Sequence, residues 1–151
     1  MIPPNRFPQV LLWAGLVIGI ATESFAADLK APGAVKAGLH QLSAEYGDME
    51  RKVTAERYDR LPHDNEELHE ESLALSTAVA SEPDEFKAKV ESALQGALTA
   101  STHIAEVSAT HDKQQVKAAL DDLSTQLQLL NALFPENLRT EPGTVKKVPI
   151  G

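Results

Sequence analysis

The densest group of chemically capable side chains is His63-Asp64-Asn65-Glu66-Glu67-Leu68-His69-Glu70-Glu71, two imidazoles among five carboxylates. Imidazole nitrogen with carboxylate oxygen is a donor set for Zn²⁺, Cu²⁺ or Ni²⁺. On a helix, His63 and Glu67 stand one turn apart and can bite one cation, while His69 and Glu70 add donors within about two turns. His63, Glu67, His69 and Glu70 are therefore the candidate metal ligands. The competing reading is a solvated acidic helix start, because carboxylates are favourable at the positive end of the helix dipole. Glu66 and His69 form an ExxH unit, which di-iron bundles use twice. Here it occurs once. Glu66 also lies about 200° around the helix from the apolar Leu68 and faces solvent, so no buried two-metal centre is expected.

The other histidines are read as structural. His103 and His111 are two turns apart, and His40 adjoins Leu39; a histidine beside an apolar stripe usually satisfies its hydrogen bonds at the core margin. Any two of them could also meet across a bundle. Ser72, Ser101 and Ser108 lie outside any glycine-rich elbow, and no serine–histidine–acid set can be placed by spacing. There is no phosphate-cradling glycine loop, and the absence of cysteine excludes disulfides, thiolate metal sites and thioether-bound haem. A non-enzymatic protein is expected, with no cofactor beyond weak Zn²⁺ or Cu²⁺ binding.

What must position these residues is helical. Val35, Leu39, Leu42, Tyr46, Met49 and Val53 recur at spacings of 4, 3, 4, 3, 4, which draws one apolar stripe down a helix from about Ala34 to Arg60. Pro32 suits its first turn, and Leu61-Pro62 is expected to break it. A second helix is expected from Asp64 to about Ala80, with Asp64 and Glu67 as a capping box and Leu68, Ser72, Leu75 and Val79 as its stripe. Ser81 and Asp84, with Pro83 in the first turn, should cap a third helix running to about Thr110. It carries Phe86, Val90, Ala93, Leu94, Ala97, Leu98, Ile104 and Ser108, and its small residues Ala93, Gly96, Ala97, Ala100 and Ser101 are read as close packing. The fourth opens at Asp112, with Gln115 at the box position; Val116, Leu120, Leu123, Leu127, Leu130 and Phe134 repeat the first helix's spacing. Phe134-Pro135 ends it. No stretch alternates as a strand would. Short joints force consecutive helices antiparallel, so the expected fold is all-α, an antiparallel up-down-up-down four-helix bundle.

The ends of the chain carry other signals. Arg6, the apolar run Val10 to Ala21, and the small residues of Ser24-Phe25-Ala26 form a bacterial-type signal peptide. The run is short for a membrane span, which needs about 20 apolar residues; an uncleaved anchor is the rival reading. The expected division is a cleaved signal peptide at residues 1–26, the bundle at 27–139 and a disordered tail at 140–151. The protein would then be periplasmic or secreted, with no membrane insertion after cleavage. Arg6 and Glu23 leave together, so the net charge stays at −8. Acidity of that size argues against nucleic acid and admits cations or basic proteins. The partner expected is an unidentified protein, a homodimer being one form of it.

Length, signal peptide, helix order and stripe placement resemble the four-helix cytochromes of the c-prime and b562 type, over roughly Val35 to Arg139. In the c-prime family the fourth helix ends in a CxxCH haem-attachment motif with an aromatic residue and an arginine following. The matching stretch here runs Leu129-Leu130-Asn131-Ala132-Leu133-Phe134-Pro135-Glu136-Asn137-Leu138-Arg139, where Leu138-Arg139 echoes the ending but both cysteines and the histidine are missing. The b562 type uses a methionine early in helix one and a histidine late in helix four. Met49 lies in the second half of the first helix, and the fourth contains no histidine. The resemblance implies the bundle without its haem ligands. The functions weighed are thus a binding or accessory protein, a weak divalent-metal binding or buffering protein, and a haem-binding electron carrier.

If the export reading holds, intact mass spectrometry of the protein recovered outside the cytoplasm should give a chain beginning at Ala27. A retained Met1 start would make the segment an anchor.

Overall fold

The computed structural model describes residues 29–142. The signal segment expected at residues 1–26 and the tail beyond Pro142 lie outside the described residues. Within them are four α-helices and no strand: α1 (Pro32–Thr54), α2 (Leu61–Ala78), α3 (Asp84–Ser108) and α4 (Lys113–Asn131). Short 3-10 turns at Tyr58–Arg60 and Glu136–Leu138 precede α2 and follow α4.

Each helix forms because its apolar residues recur on one face, and each buries that face against the others. Val35, Leu39, Leu42, Tyr46, Met49 and Val53 on α1 are all buried. So are Leu68, Ser72 and Leu75 on α2, with Val79 at its cap. On α3 the stripe is buried except at Ala93 and Leu98, which are half-buried. On α4 Val116, Leu120, Leu123, Leu127 and Leu130 face inward, and Phe134 just beyond it is fully enclosed. The helices contact one another in chain order, α1 with α2, α2 with α3, α3 with α4, and α4 returns to α1.

Two boundaries differ from the sequence expectation. Helix α1 stops at Thr54 instead of Arg60, and Leu61-Pro62 opens α2 instead of breaking α1. The stop is a Schellman-type closure: Glu56 N donates to Val53 O at 3.1 Å and Arg57 N to Lys52 O at 2.8 Å. Glu56 takes the left-handed conformation (φ 57°) usually given to glycine, so no glycine marked the stop. Pro62 is tolerated in the first turn of α2, where a missing N–H costs nothing. A consequence follows for Asp64, which lies inside the helix instead of capping it and is buried. Nor do Ser81 or Asp84 cap α3 through their side chains. Asp112 does cap α4, accepting from Gln114 N at 3.0 Å and Gln115 N at 3.2 Å.

Close contacts set the helix spacing. A Cβ added at Gly38 on α1 would lie 3.1 Å from Leu75 Cδ1, so glycine allows α1 and α2 to approach. Ala97, Ala100 and Ser101 on α3 are buried small residues, as expected for close packing. The chain after α4 folds back and is tied down. Asn131 Nδ2 donates to Leu127 O at 2.9 Å, its Oδ1 accepts from Thr140 N at 2.9 Å, and Ser43 Oγ on α1 donates to Glu141 O at 2.6 Å. Thr140 and Glu141, the first residues of the expected tail, are thus hydrogen-bonded to the helices.

Leu123 and Leu127 are enclosed at 0% and 1% exposure, so Leu123→Ala and Leu127→Ala should each lower urea-unfolding stability by about 2–5 kcal/mol. Leu129→Ala, at a position 57% exposed, should stay within about 0.5 kcal/mol.

Candidate functional site

The four ligand candidates read from the sequence all lie on α2, but they do not converge. His63 Nε2 is 3.5 Å from Glu67 Oε1 at the solvent-exposed start of the helix. Six residues on, His69 turns to a different face, and its Nδ1 lies 2.8 Å from Asn65 O. Glu70 is exposed on the surface. The pair of His63 and Glu67 is therefore the part of the set that the helix brings together.

His69 belongs instead to a groove along the seam of α2 and α3. At one end the groove is lined by His69, Leu98, Thr102, His103 and Glu106. An adjoining depression shares His69, Gln95 and Leu98 and continues past Leu73, Leu94 and Glu91. The floor is apolar and the margins polar. Leu73 is 69% exposed, the largest value among the big apolar side chains described. The seam is braced from beneath, because Ser101 Oγ, fully buried on α3, donates to Asn65 Oδ1 on α2 at 2.6 Å. His103 Nδ1 stands 3.8 Å from Glu106 Oε2, beyond hydrogen-bond distance. His69 and His103 lie on different helices and share the lining of that depression. Of the remaining histidines, His40 is exposed on α1. His111 sits in a left-handed turn (φ 55°) with its ring edge-on to Tyr58 at 5.6 Å.

A second cluster was not anticipated. Glu45 and Asp48 on α1 meet Asp64 on α2, with carboxylate oxygens all within 4.8 Å of one another. Lys52 reaches into the same place, its Nζ 2.5 Å from Asp64 Oδ1 and 2.9 Å from Asp48 Oδ2. Three hard oxygen donors could hold a cation, but the ammonium of Lys52 already supplies the positive charge. Burial pushes the Asp64 carboxyl above its usual range, outweighing the hydrogen bond and charge of Lys52. The other oxygen of Asp64, Oδ2, is buried without a hydrogen-bond partner. Asp48 moves the other way: its burial is overcome by hydrogen bonds from Arg51 and Lys52, which hold it below the usual carboxylate range. Lys52 is itself partly desolvated, yet its bonds to Asp64 and Asp48 raise it above the ordinary lysine value. The signal available in sequence was the Asp48–Lys52 spacing of one turn; the partnership with Asp64 crosses from one helix to another.

No protein family, curated protein or solved structure matches the chain.

The opposed shifts fix a pH signature. For Asp64 the folded value lies above 3.8, so its contribution is favourable at low pH and is lost as pH rises through the folded value. For Asp48 the contribution is present above 3.8 and is lost as pH falls below it. Asp64→Asn keeps an oxygen for Lys52 and cannot ionise. In denaturant melts across pH, its stability relative to the parent should therefore improve as pH rises from acid towards neutrality. A difference independent of pH would mean that Asp64 is not raised.

Proposed function

We propose that the protein is a non-enzymatic binding protein working outside the cytoplasm, in the periplasm or as a secreted molecule, and that its α2–α3 groove receives a basic amphipathic helix of a partner protein. The observation that carries this reading is the groove itself. Leu73 stands exposed beside the Leu94 and Leu98 floor, with Glu91 and Glu106 along its length. An apolar strip flanked by carboxylates suits a helix with leucine-type residues on one face and lysine or arginine at its margins. The overall charge of −8 favours the same partner by long-range attraction. The export pattern of residues 1–26 supports the location.

The scaffold in this reading is an antiparallel up-down-up-down bundle. Supporting it, the end of α1 meets the start of α2 at Lys52 and Asp64, while the start of α1 meets the end of α2 at Gly38 and Leu75. Asn65 near the start of α2 pairs with Ser101 late in α3, and the joints at residues 55–60, 79–83 and 109–112 are short. A rigid seam between two antiparallel helices offers a third helix a preformed groove.

A second reading, weak divalent-metal binding or buffering, draws support from the His63–Glu67 pair at 3.5 Å. A haem-carrying role has only the resemblance to support it: Met49 lies within the apolar core and His40 is exposed.

The groove is tested with a synthetic leucine–lysine amphipathic helix titrated into isotopically labelled protein. Backbone NMR shifts should saturate and cluster on α2 and α3, weaken with added salt, and vanish in Leu73→Asp. Scattered, non-saturating shifts would overturn the reading. So would a sedimentation result in which a second copy of the chain occupies the groove and Leu73→Asp restores the monomer.

A further inference from the structure

We propose that Glu45, Asp48 and Asp64 form a binding site for a hard divalent cation, Ca²⁺, at the seam of α1 and α2, and that Lys52 is its built-in competitor. One carboxylate oxygen from each of the three residues lies within 4.8 Å of the other two. Bonds of about 2.3–2.6 Å to a single Ca²⁺ join oxygens up to about 5 Å apart, so the three donors reach one ion without moving either helix. Glu45 and Asp48 come from one face of α1 and Asp64 from α2.

Two observations beyond the carboxylates themselves point to a cation there. A positive centre already stands among them: Lys52 Nζ lies 2.5 Å from Asp64 Oδ1 and 2.9 Å from Asp48 Oδ2, close to calcium–oxygen distances. The second is an orphaned atom. Asp64 is fully enclosed, and its Oδ2 is buried without a hydrogen-bond partner. An oxygen left so costs free energy, and an ion held by both oxygens of Asp64 removes that cost. The charge balance agrees. Arg51 Nη2 holds Asp48 Oδ1 at 2.8 Å, so three ionised carboxylates face two cationic side chains and one negative charge is left over. Ca²⁺ in place of the Lys52 ammonium, with Arg51 retained, brings the cluster to neutrality.

The exchange needs no rearrangement of the fold. The side chains of Lys52 and Asp48 are 22% and 21% exposed, and a lysine stem is flexible, so the ammonium can withdraw into water while the ion enters by the same rim. Giving up the Lys52 contacts offsets part of the binding energy. The affinity therefore falls in the weak class of about 10⁻⁴–10⁻³ M that serves extracellular calcium modules. The bound ion would tie the end of α1 to the start of α2. This site lies on a different seam from the α2–α3 groove and shares no residue with the exposed His63–Glu67 pair, so it stands apart from the partner reading.

The test is calorimetric titration of the full-length chain with Ca²⁺, beside thermal unfolding with and without the ion. One saturable equivalent and a raised unfolding midpoint are expected. Loss of a merely supporting group lowers metal affinity by about 10–100-fold, so Asp64→Asn and Asp48→Asn, which each neutralise a donor, should weaken binding by at least about tenfold. Lys52→Met removes the competitor and keeps the apolar stem. It should bind Ca²⁺ several-fold more tightly than the parent and gain more stability from it; a Lys52→Met chain that folds only with Ca²⁺ is the extreme form of that result. Leu73→Asp and His63→Ala should leave binding unchanged. No saturable event in the parent up to about 10 mM Ca²⁺, well above that affinity class, would overturn the site. So would parent-like affinity in Asp64→Asn, or loss of binding in His63→Ala, which would move the ion to the exposed start of α2.

Discussion

Each of the four described helices carries an apolar stripe that it cannot bury alone, and that constraint organises the rest. Most of a helix's stability in a protein comes from packing its amphipathic face. Closing the ring of contacts from α1 through α4 and back places Leu39, Leu68, Ile104 and Leu123 out of solvent together. The edge-on contact of Phe86 and Phe134 at 5.6 Å adds aromatic packing to the same core. The fold-back after α4 extends the enclosure, because Asn131 and Ser43 give its backbone the hydrogen bonds a covering segment needs.

Polar groups enter this interior under strict terms. Ser72 donates to Leu68 O at 2.8 Å, and Asn131 is bonded at both ends of its amide. Glu45, Asp48, Asp64 and Lys52 are the demanding case, since a buried carboxylate costs free energy unless a partner compensates it. Here Lys52 provides the compensating charge. The arrangement joins the end of α1 to the start of α2, just where the turn at Glu56 reverses the chain. Burial thereby gives a charged cluster a structural role, and the same burial makes it respond to pH.

Exposed chemistry is arranged differently. Along α2 and α3 the backbone seam is braced by Asn65 and Ser101, while His69, Leu73, His103 and Glu106 stand in solvent above it. The seam is thus braced below, with both apolar and polar side chains exposed above it. The α1–α4 seam has its own depression near Val53 and Leu120, where Lys113 and Lys117 offset Glu50 and Asp121. Both signs of charge meet there, in contrast to Glu91 and Glu106 along the α2–α3 groove.

The stripes were legible in the sequence because helical periodicity is a local property: a residue's face follows from its spacing alone. Val35 to Val53 and Val116 to Phe134 were found in that way, and so was the Asp112 cap, whose bonds reach only three residues ahead. The stop at Thr54 was hidden because Glu56 adopts a conformation that sequence reading reserves for glycine. Asp64 reads as a helix cap for a related reason: with the helix starting one turn earlier, it falls one turn before Leu68 on the buried face. His69 and His103 lie 34 positions apart, and Glu45 meets Asp64 across a helix boundary. Such pairs depend on how α1, α2 and α3 are rotated and slid against one another. The sequence by itself determined which face of each helix turns inward, and only the tertiary packing decided which polar groups then met, because register between helices is set by the fit of side chains distant along the chain.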